Sequence, residues 1–292
     1  MSTIKEIKGR ISSTRSSEKI TGAMKMISTA KLRKAENSLR QLKPYREQLR
    51  SAIVHLLDSD GDYPSPLTEK RPVQKMAIVV IGSEEGLCGA FNMYLYKALE
   101  ERIATLRKEY GEKLALDIYP LGKRLTLALA HIDGVAMKNV SYLDAKSDTT
   151  VIRNFTDDLI SRFLTKEIDA VEVIYPYYKS MAAQPVKIRT LLPVDASKLA
   201  GSAKKDETSG PYIYEPSQEK IFNTLLPLFV RIDMQESIYN GRTSEQAARV
   251  IAMQSASDNA KKLLEELQLD YNKLRQQGIT NELLDIVGGS MQ

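Results

Sequence analysis

Apolar residues recur at alternating intervals of three and four near both ends of this 292-residue chain. In the N-terminal segment they form two rows with a spacing of seven: Leu32, Leu39 and Ile53, and then Ala35, Leu42, Leu49 and Leu56. This pattern is typical of a helix that packs along its length against another helix. Arg46 takes one place in the first row, where its long stem could carry the charge to water. A similar row of apolar residues starts upstream at Ile4, but it is out of register with the row at Leu32. We therefore predict a slip in register between Ile20 and Leu32.

The C-terminal segment has a matching pattern. Its two rows are Ala260, Leu267 and Leu274, and Leu264 and Tyr271, with Val250 and Met253 continuing them backward. At a rise of 1.5 Å per residue, a helix from Thr3 to Leu57 is ~80 Å long and one from Ser217 to Val287 is ~105 Å. No single domain of this size covers such lengths, so we predict that the helices cover each other as an antiparallel coiled coil. Two separate amphipathic helices packed on a globular body are the alternative.

The unequal lengths of the two helices predict an overhang. If both helices enter the globular part at one level, the C-terminal helix extends roughly 20 Å further. Its tip carries an apolar stripe that has no partner in its own chain: Ile279, Leu283, Ile286 and Val287. We expect this stripe to need an apolar socket from another protein.

The middle of the chain has the texture of an α/β domain. β-branched runs predict strands at 76–81, 114–119, 171–175 and 186–192, and helical patterns predict helices at about 92–110, 124–130 and 150–166. This order predicts a mostly parallel, Rossmann-like sheet with a hairpin at one edge. The expected organisation is a coiled-coil helix (1–57), the α/β domain (70–195), a flexible connection (196–216) and a second coiled-coil helix (217–292).

Basic residues are concentrated in the first helix. From Met1 to Leu57 there are thirteen Lys and Arg against four Glu, a net charge of +9, although the whole chain carries only +5. A basic helix attracts polyanions, which include nucleic acid, anionic lipid and acidic protein surfaces. The cations are scattered around the helix and no aromatic stacking platform accompanies them, so an acidic protein partner is favoured over nucleic acid. The alternative is that this basic face of the helix is exposed to water and binds no partner.

No catalytic, cofactor-binding or metal-binding residue is predicted. The turn after the first strand contains Gly86 and Gly89, but its spacing is not that of a phosphate-binding loop, and Glu84 and Glu85 place negative charge there. Cys88 is the only cysteine, which excludes an intrachain disulfide and indicates a reducing compartment. His55 and His131 are too far apart in sequence to suggest a zinc site. Lys and Arg interrupt every apolar run before about 18 residues, and no signal peptide is apparent.

Four sequence runs carry a resemblance to a known family. Residues 244–261 (SEQAARVIAMQSASDNAK) and 269–290 (LDYNKLRQQGITNELLDIVGGS) resemble the gamma subunit of F-type ATP synthases of the bacterial type. Residues 4–12 and 19–35 are similar to the first helix of the same family, and the order of elements also agrees. The middle motif departs from the family: SEEGLCGAFN stands at 83–92 where the family usually has S-D-R-G-L-C-G-G-L-N. This departure leaves the family role of the missing arginine open.

The resemblance implies a central rotary shaft. Such a shaft couples ion flow through a membrane ring of c subunits to conformational cycling of catalytic beta subunits. Its implied partners are the alpha and beta subunits, the epsilon subunit and the c ring, with no nucleic acid, no bound nucleotide and no cofactor. The implied location is peripheral, on the cytoplasmic face of the bacterial inner membrane. A basic coiled-coil protein that binds nucleic acid or acts as a scaffold is the alternative function, and a nucleotide-using enzyme is more remote.

The resemblance also implies contact residues. Arg275 and Gln276 match a pair that meets a loop of the beta subunit, and Thr280 lies close by. Met24 and Lys25 match a region that faces an acidic lever of the beta subunit. Three nearby cations suit that acidic partner: Lys31, Arg33 and Lys34. The apolar tip defined above would sit in a bearing formed by the ring.

Overall fold

Five helices and five strands are present in the computed structural model, which describes residues 3–58, 63–130, 132, 134–138, 140, 142–143, 147–195 and 214–289. The helices are α1 (Ile4–Asp58), α2 (Phe91–Tyr110), α3 (Lys123–Leu129), α4 (Thr149–Leu164) and α5 (Gln218–Gly289). The strands are β1 (Lys75–Ile81), β2 (Ala115–Leu121), β3 (Ala136–Met137), β4 (Ala170–Pro176) and β5 (Val186–Leu192). The expected connection at 196–216 falls largely outside the described residues.

The start of each long helix is set by side-chain capping. At α1, the Thr3 hydroxyl accepts a hydrogen bond from the Glu6 backbone N–H at 3.3 Å, and the Glu6 carboxylate accepts one from the Thr3 N–H at 3.0 Å. This reciprocal pair is a capping box. At α5, the Ser217 hydroxyl accepts from the Lys220 N–H at 3.4 Å. Once started, α1 continues through Pro44 over 55 residues and α5 through Pro227 over 72 residues.

The sheet is mostly parallel, as the sequence predicts. Its strand order is β3-β2-β1-β4-β5, and β1 pairs in parallel with both β2 and β4. The β4–β5 pair is antiparallel and forms the predicted hairpin at one edge. Every residue of β4 is buried, which is the usual condition of a central strand covered on both faces.

The two faces of the sheet have different covers. On one face, alternate β1 residues such as Ile78 and Val80 pack with α2 and α3. On the other face, Ala77, Val79 and Ile81 share a core with α4 and with parts of α1 and α5. The sequence suggests a middle segment that folds separately from the terminal helices, and the structure differs. The second sheet face is apolar and α4 alone is too short to cover it, so the long helices supply the rest.

Internal contacts divide the chain into two compact units. The first unit, called here the coil unit, contains residues 1–30 and 249–292, and the second, the sheet unit, contains residues 31–248. These boundaries cut through both long helices and differ from the four-part division expected from the sequence. Each unit contains a segment of α1 and a segment of α5.

The predicted seam between the long helices is present. On α5, positions at spacings of four and three are buried or half-buried throughout the coil unit: Met253, Ser257, Ala260, Leu264, Leu267, Tyr271, Leu274 and Gly278. On α1 the same spacing runs through Ile7, Ile11, Thr14, Glu18, Thr21, Lys25, Ser28 and Leu32. The expected slip in register between Ile20 and Leu32 is therefore wrong. The row continues without a break, but polar residues occupy it, and a search for apolar spacing misses them.

Candidate partner-binding surface

The C-terminal end of α5 extends past the start of α1. A Cβ atom on Gly278 would lie 3.9 Å from Cδ1 of Ile4, so Gly278 is level with the first residue of α1. The eleven helical residues that follow, up to Gly289, have no α1 residue beside them. Their described large apolar side chains are all exposed, from 51% at Ile279 to 68% at Ile286: Ile279, Leu283, Leu284 and Ile286. The side chain of Val287 lies outside the described residues.

The polar residues implied as ring contacts lie just before this tip and within it. Arg275, Gln276 and Thr280 are all exposed. The Thr280 hydroxyl donates to the Gln276 carbonyl oxygen at 2.9 Å, one turn back along α5. Within the described ranges, the Arg275 guanidinium makes no ion pair or hydrogen bond. Its planar set of donors is therefore available to an external acceptor.

Met24 and Lys25 lie at a different level of the coil unit. Both are half-buried, and Lys25 occupies a seam position of α1. Since Gly278 is level with Ile4 in this antiparallel pair, Arg275 is level with about residue 7 of α1. Met24 is about 17 residues further along, or about 25 Å at the helical rise. The implied contacts within this unit thus form two separate groups, not one site.

The remaining implied contacts belong to the sheet unit. Lys31, Arg33 and Lys34 are exposed on α1 at the start of that unit. None of the three makes an ion pair or a side-chain hydrogen bond within the described part of the chain. Their ammonium and guanidinium groups are therefore open to an outside partner.

The coil unit also exposes apolar side chains that the sequence analysis did not identify. Ile20, Met26 and Ile27 are 60%, 72% and 57% exposed on α1. They lie off the seam, where Ile20 and Ile27 are separated by two turns on one face. The sequence did contain a sign of them, because these apolar residues occupy positions that the register of the seam assigns to the exposed face. Ile20 and Ile27 therefore form a small exposed apolar patch on one face of α1, with Met26 on a neighbouring face.

In the sheet unit, the long helices are joined to the sheet by buried charges. Arg46 Nε lies 2.6 Å from Asp233 Oδ1 and 3.1 Å from Glu236 Oε2, and Arg189 of β5 lies 2.9 Å from the same Glu236 oxygen. Burial lowers the pKa of Arg46, but the two carboxylates outweigh it and hold that pKa above its ordinary value. The expectation that Arg46 reaches water is wrong. Its seam position faces two acidic residues of α5, and pairing with them satisfies the charge.

Burial also changes the acidity of two tyrosines of the sheet unit, of which Tyr175 lies beside this network. Tyr175, which is 1% exposed on β4, has its pKa raised to about 12 chiefly by desolvation. Tyr178 has its pKa raised to about 12 by desolvation and by its hydrogen bond to the Glu36 carboxylate of α1. Both phenols are therefore neutral at physiological pH, and that of Tyr178 donates to Glu36.

The glycine-containing turn after β1 is filled by its own side chains. The Glu84 carboxylate accepts from the backbone N–H of Lys123 at 3.2 Å and pairs with the Lys123 ammonium at 3.3 Å. It thus occupies the start of α3, where a phosphate would otherwise meet backbone donors. Cys88 is buried, with its thiol 3.6 Å from the Ser83 hydroxyl. The turn packs as a structural loop.

The described residues contain neither a metal-binding cluster nor a helix suited to cross a membrane. Among the described residues, no cluster of three or more His, Cys, Asp or Glu side chains is arranged to hold a metal ion. Within the same residues, none of the helices combines the length and the apolar character that crossing a membrane requires.

Comparison with known proteins identifies the family. A family model described as ATP synthase matches residues 3–291. The ATP synthase gamma chain of Phocaeicola vulgatus is 39% identical over 294 residues, which is 100% of both chains. The chain belongs to the ATP synthase gamma-chain family. The gamma chains of Parabacteroides distasonis and Flavobacterium psychrophilum are 39% and 36% identical, and each alignment covers 99% of this chain and 99% or 98% of the relative.

Solved structures share the fold of this gamma-chain family member. A chain of the Euglena gracilis mitochondrial ATP synthase, from a structure of its OSCP, F1 and c-ring parts, superimposes with a TM-score of 0.65. It is 20% identical, and the match covers 99% of this chain and 93% of that one. A chain from the central stalk and c-ring of the Tetrahymena thermophila enzyme gives 0.58 at 20% identity, over 82% of this chain and 99% of that one. These likenesses confirm the predicted fold class, a long antiparallel pair formed by the N- and C-terminal helices plus a central α/β sheet.

Proposed function

We propose that this chain is the central rotary shaft of an ATP synthase, coupling ion flow through the membrane ring to the conformational cycle of the catalytic beta subunits. The observation that carries the proposal is the full-length family match joined to the uncovered tip of α5. A tip of four exposed apolar side chains is costly in water and becomes stable when a partner encloses it. A ring of alpha and beta subunits provides such an enclosure.

The shaft contributes no catalytic step of its own. Its contribution is to present a different surface to each catalytic subunit at each orientation. In the coil unit, one face of α1 exposes Ile20 and Ile27, and a different part of the unit exposes Arg275 and Gln276. A beta subunit that meets one surface is stabilised in one conformation, and turning the shaft replaces that surface with another. Differential contact of this kind is what shifts a conformational equilibrium.

The remaining partners follow from the same assignment. The proposed neighbours of the sheet unit are the epsilon subunit and the membrane ring of c subunits. The chain then works as a peripheral protein on the cytoplasmic face of the bacterial inner membrane. The relatives and folds described above all belong to ATP synthases, and none of them supports the alternative of a nucleic-acid-binding or scaffold protein.

Reconstitution tests the proposal directly. The purified chain is mixed with alpha and beta subunits, and the complex is examined for stoichiometry and for ATP-driven rotation of a bead attached to the shaft. One copy per ring and unidirectional turning are expected. A chain that fails to enter the ring, or that enters in several copies, would remove the proposal.

A double substitution tests the contact residues separately. Arg275→Ala with Gln276→Ala removes the exposed donors nearest the tip, and we expect impaired assembly or impaired ATP synthesis by membranes that carry the variant. Lys273→Ala with Gln277→Ala is the matched control, because it deletes one cation and one amide from another face of the same two turns. Synthesis that falls equally in both variants would argue against a specific contact at Arg275.

A further inference from the structure

Within the sheet unit, the β4–β5 hairpin contacts both long helices through polar groups at two levels. At the first level, Arg189 Nη1 of β5 lies 2.9 Å from Glu236 Oε2 and 3.4 Å from Asp233 Oδ1, both on α5. Arg46 Nε of α1 lies 3.1 Å and 2.6 Å from the same two oxygens. The hairpin, α1 and α5 therefore meet in one closed set of four charges.

The second level lies where the chain leaves β4. The Tyr178 hydroxyl donates to the Glu36 carboxylate of α1, and the Tyr178 backbone N–H donates to Asn240 Oδ1 of α5 at 3.2 Å. The buried Ser244 hydroxyl of α5 donates to the Pro176 carbonyl oxygen of β4 at 3.0 Å. On α1 the two levels are separated by ten residues, or about 15 Å along the helix axis.

Two separated levels of polar contact fix an angle that apolar packing leaves free. The apolar contacts of α1 and α5 with the sheet are non-directional, so they resist separation more than they resist rotation. Hydrogen bonds and ion pairs depend on direction. One such contact would act as a pivot, whereas two that lie about 15 Å apart hold the helix pair at one orientation. Apolar residues can often replace a whole buried ion pair without loss of stability, so stability alone does not account for the four charges.

We propose that the β4–β5 hairpin, named here the hairpin joint, fixes the angle between the α1–α5 pair and the sheet, with Tyr178 and Arg189 as its positioning residues. This inference rests on the proposed function, in which torque passes between helices enclosed by the ring and a sheet outside it. An intact joint passes the torque directly. A loosened joint takes up part of each rotation as twist between the helix pair and the sheet.

The test removes directional contacts and keeps the charge and the packing. The test variant is Tyr178→Phe with Arg189→Lys, in which the first change deletes only a hydroxyl and the second keeps a cation but loses the planar fork of donors. Tyr178→Phe alone is a milder second variant. The matched control is Tyr177→Phe with Arg153→Lys. In the described part of the chain, the Tyr177 hydroxyl and the Arg153 guanidinium make no hydrogen bond or ion pair.

The angle is measured first in the free chain. Spin labels are attached to cysteines introduced at two exposed positions, Gln41 of α1 and Lys108 of α2, which lie on opposite faces of the sheet. Cys88 is buried and is not labelled. Double electron–electron resonance then gives the distribution of distances between the labels. This distribution should be at least about twice as wide in the double variant as in the wild type, because the directional restraints are gone.

Tyr178→Phe alone should broaden the distribution less, and the control should leave its width unchanged. Unchanged width in both test variants would overturn the joint, as would equal broadening in the control. A lower unfolding temperature without broadening would assign these residues to stability alone and would also overturn it.

A second measurement separates the joint from the proposed function. A bead attached at the Lys108 position reports the angle of the sheet in the reconstituted alpha–beta ring, with rotation stopped by removal of ATP. The angular variance of the bead should rise at least about twofold in the double variant and stay at the wild-type value in the control. An unchanged variance would overturn the passage of torque through the hairpin joint. A wild-type chain that does not enter the ring would reject the proposed function, and the distances in the free chain would still decide whether the hairpin fixes the angle.

Discussion

At the scale of single residues, the seam of this protein is determined as much by charge as by apolar contact. Arg46 occupies a seam position that an apolar residue usually fills, and its charge is compensated there because Asp233 and Glu236 face it. Removing one member of such a network leaves buried charges without a partner. The resulting loss of stability is larger than the net stabilisation that the intact ion pair provides.

The first prediction concerns Arg46→Met, which keeps an apolar stem in the seam but removes the guanidinium. We expect the free energy of unfolding to fall by about 3 kcal/mol, because Asp233 and Glu236 then share only Arg189. Denaturant titration provides the measurement. Lys43→Met is the control, since Lys43 is exposed and should change stability by no more than about 0.5 kcal/mol. A loss at Arg46 no larger than at Lys43 would contradict the network's role.

The second prediction concerns alkaline pH. The pKa of the Tyr175 phenol is about 12 in the folded chain, against about 10 for an unperturbed tyrosine. The stability that this neutral phenol contributes is complete below pH 10 and is lost as the pH rises through about 12. Between these values its share of the unfolding free energy should decline by up to about 1.4 kcal/mol per pH unit. Denaturant titrations across this window should show a shallower decline for Tyr175→Phe, and identical slopes would refute the assignment.

At the scale of the elements, glycine determines how closely α5 approaches the sheet. A Cβ atom on Gly241 would lie 2.4 Å from Cγ2 of Ile81 in β1, which is far inside van der Waals contact. Gly9 in α1 is also helical, but a Cβ atom there would meet nothing within 4 Å. Close packing therefore requires glycine at position 241, whereas a side chain at position 9 would meet no steric obstacle.

The third prediction follows from this contrast. Gly241→Ala should destabilise the protein by about 1–3 kcal/mol, because α5 or β1 must shift to admit the methyl group. Gly9→Ala should stabilise it by up to about 1 kcal/mol, because alanine loses less backbone entropy in a helix interior. Thermal or denaturant unfolding of the two variants gives the comparison. Changes of the same sign would show that the close approach at Gly241 is not a constraint.

Sequence periodicity was sufficient for the five described helices, for four of the strands and for a mostly parallel sheet with a hairpin at one edge, but it did not predict β3 or the strand order. The α1 seam was predicted only where Leu and Ile occupy it, and Thr14 to Ser28 was misread because burial there falls on polar side chains. The covering of the sheet by α1 and α5 was also missed. Periodicity identifies which face of a helix is buried, but it does not say whether a second helix or a sheet provides the cover. The Arg46 network could have been suspected only from a charged residue placed in an apolar row.

At the scale of the whole molecule, the residues that stabilise the fold differ from those that we propose bind the ring. The buried core belongs to the sheet and the seams, whereas the last residues of α5 have none of the described helices beside them. Their exposed apolar side chains contribute little to the folded chain in isolation. In the proposed function, the same side chains stabilise the complex with the ring.

The fourth prediction separates these two contributions. A chain that ends before Thr280 should unfold within a few degrees of the intact protein, because the deleted described residues are exposed. Its affinity for the alpha–beta ring should fall by an order of magnitude or more, since burying apolar area is worth about 25 cal/mol per Å². Calorimetry and ring binding supply the two readouts. The double variant Asn281→Ser and Glu282→Gln keeps the apolar tip and serves as the control. Full affinity of the truncated chain for the ring would contradict the proposal that the apolar tip of α5 binds inside it.

The burial of Cys88 has a practical consequence for optical experiments. It is the only thiol in the sequence, and at 5% exposure it is shielded from maleimide reagents. A cysteine introduced at the exposed position of Lys262 would therefore be the one site that accepts a fluorophore, with no need to replace the native residue. A single substitution is therefore enough to label the chain for single-molecule measurements of its orientation.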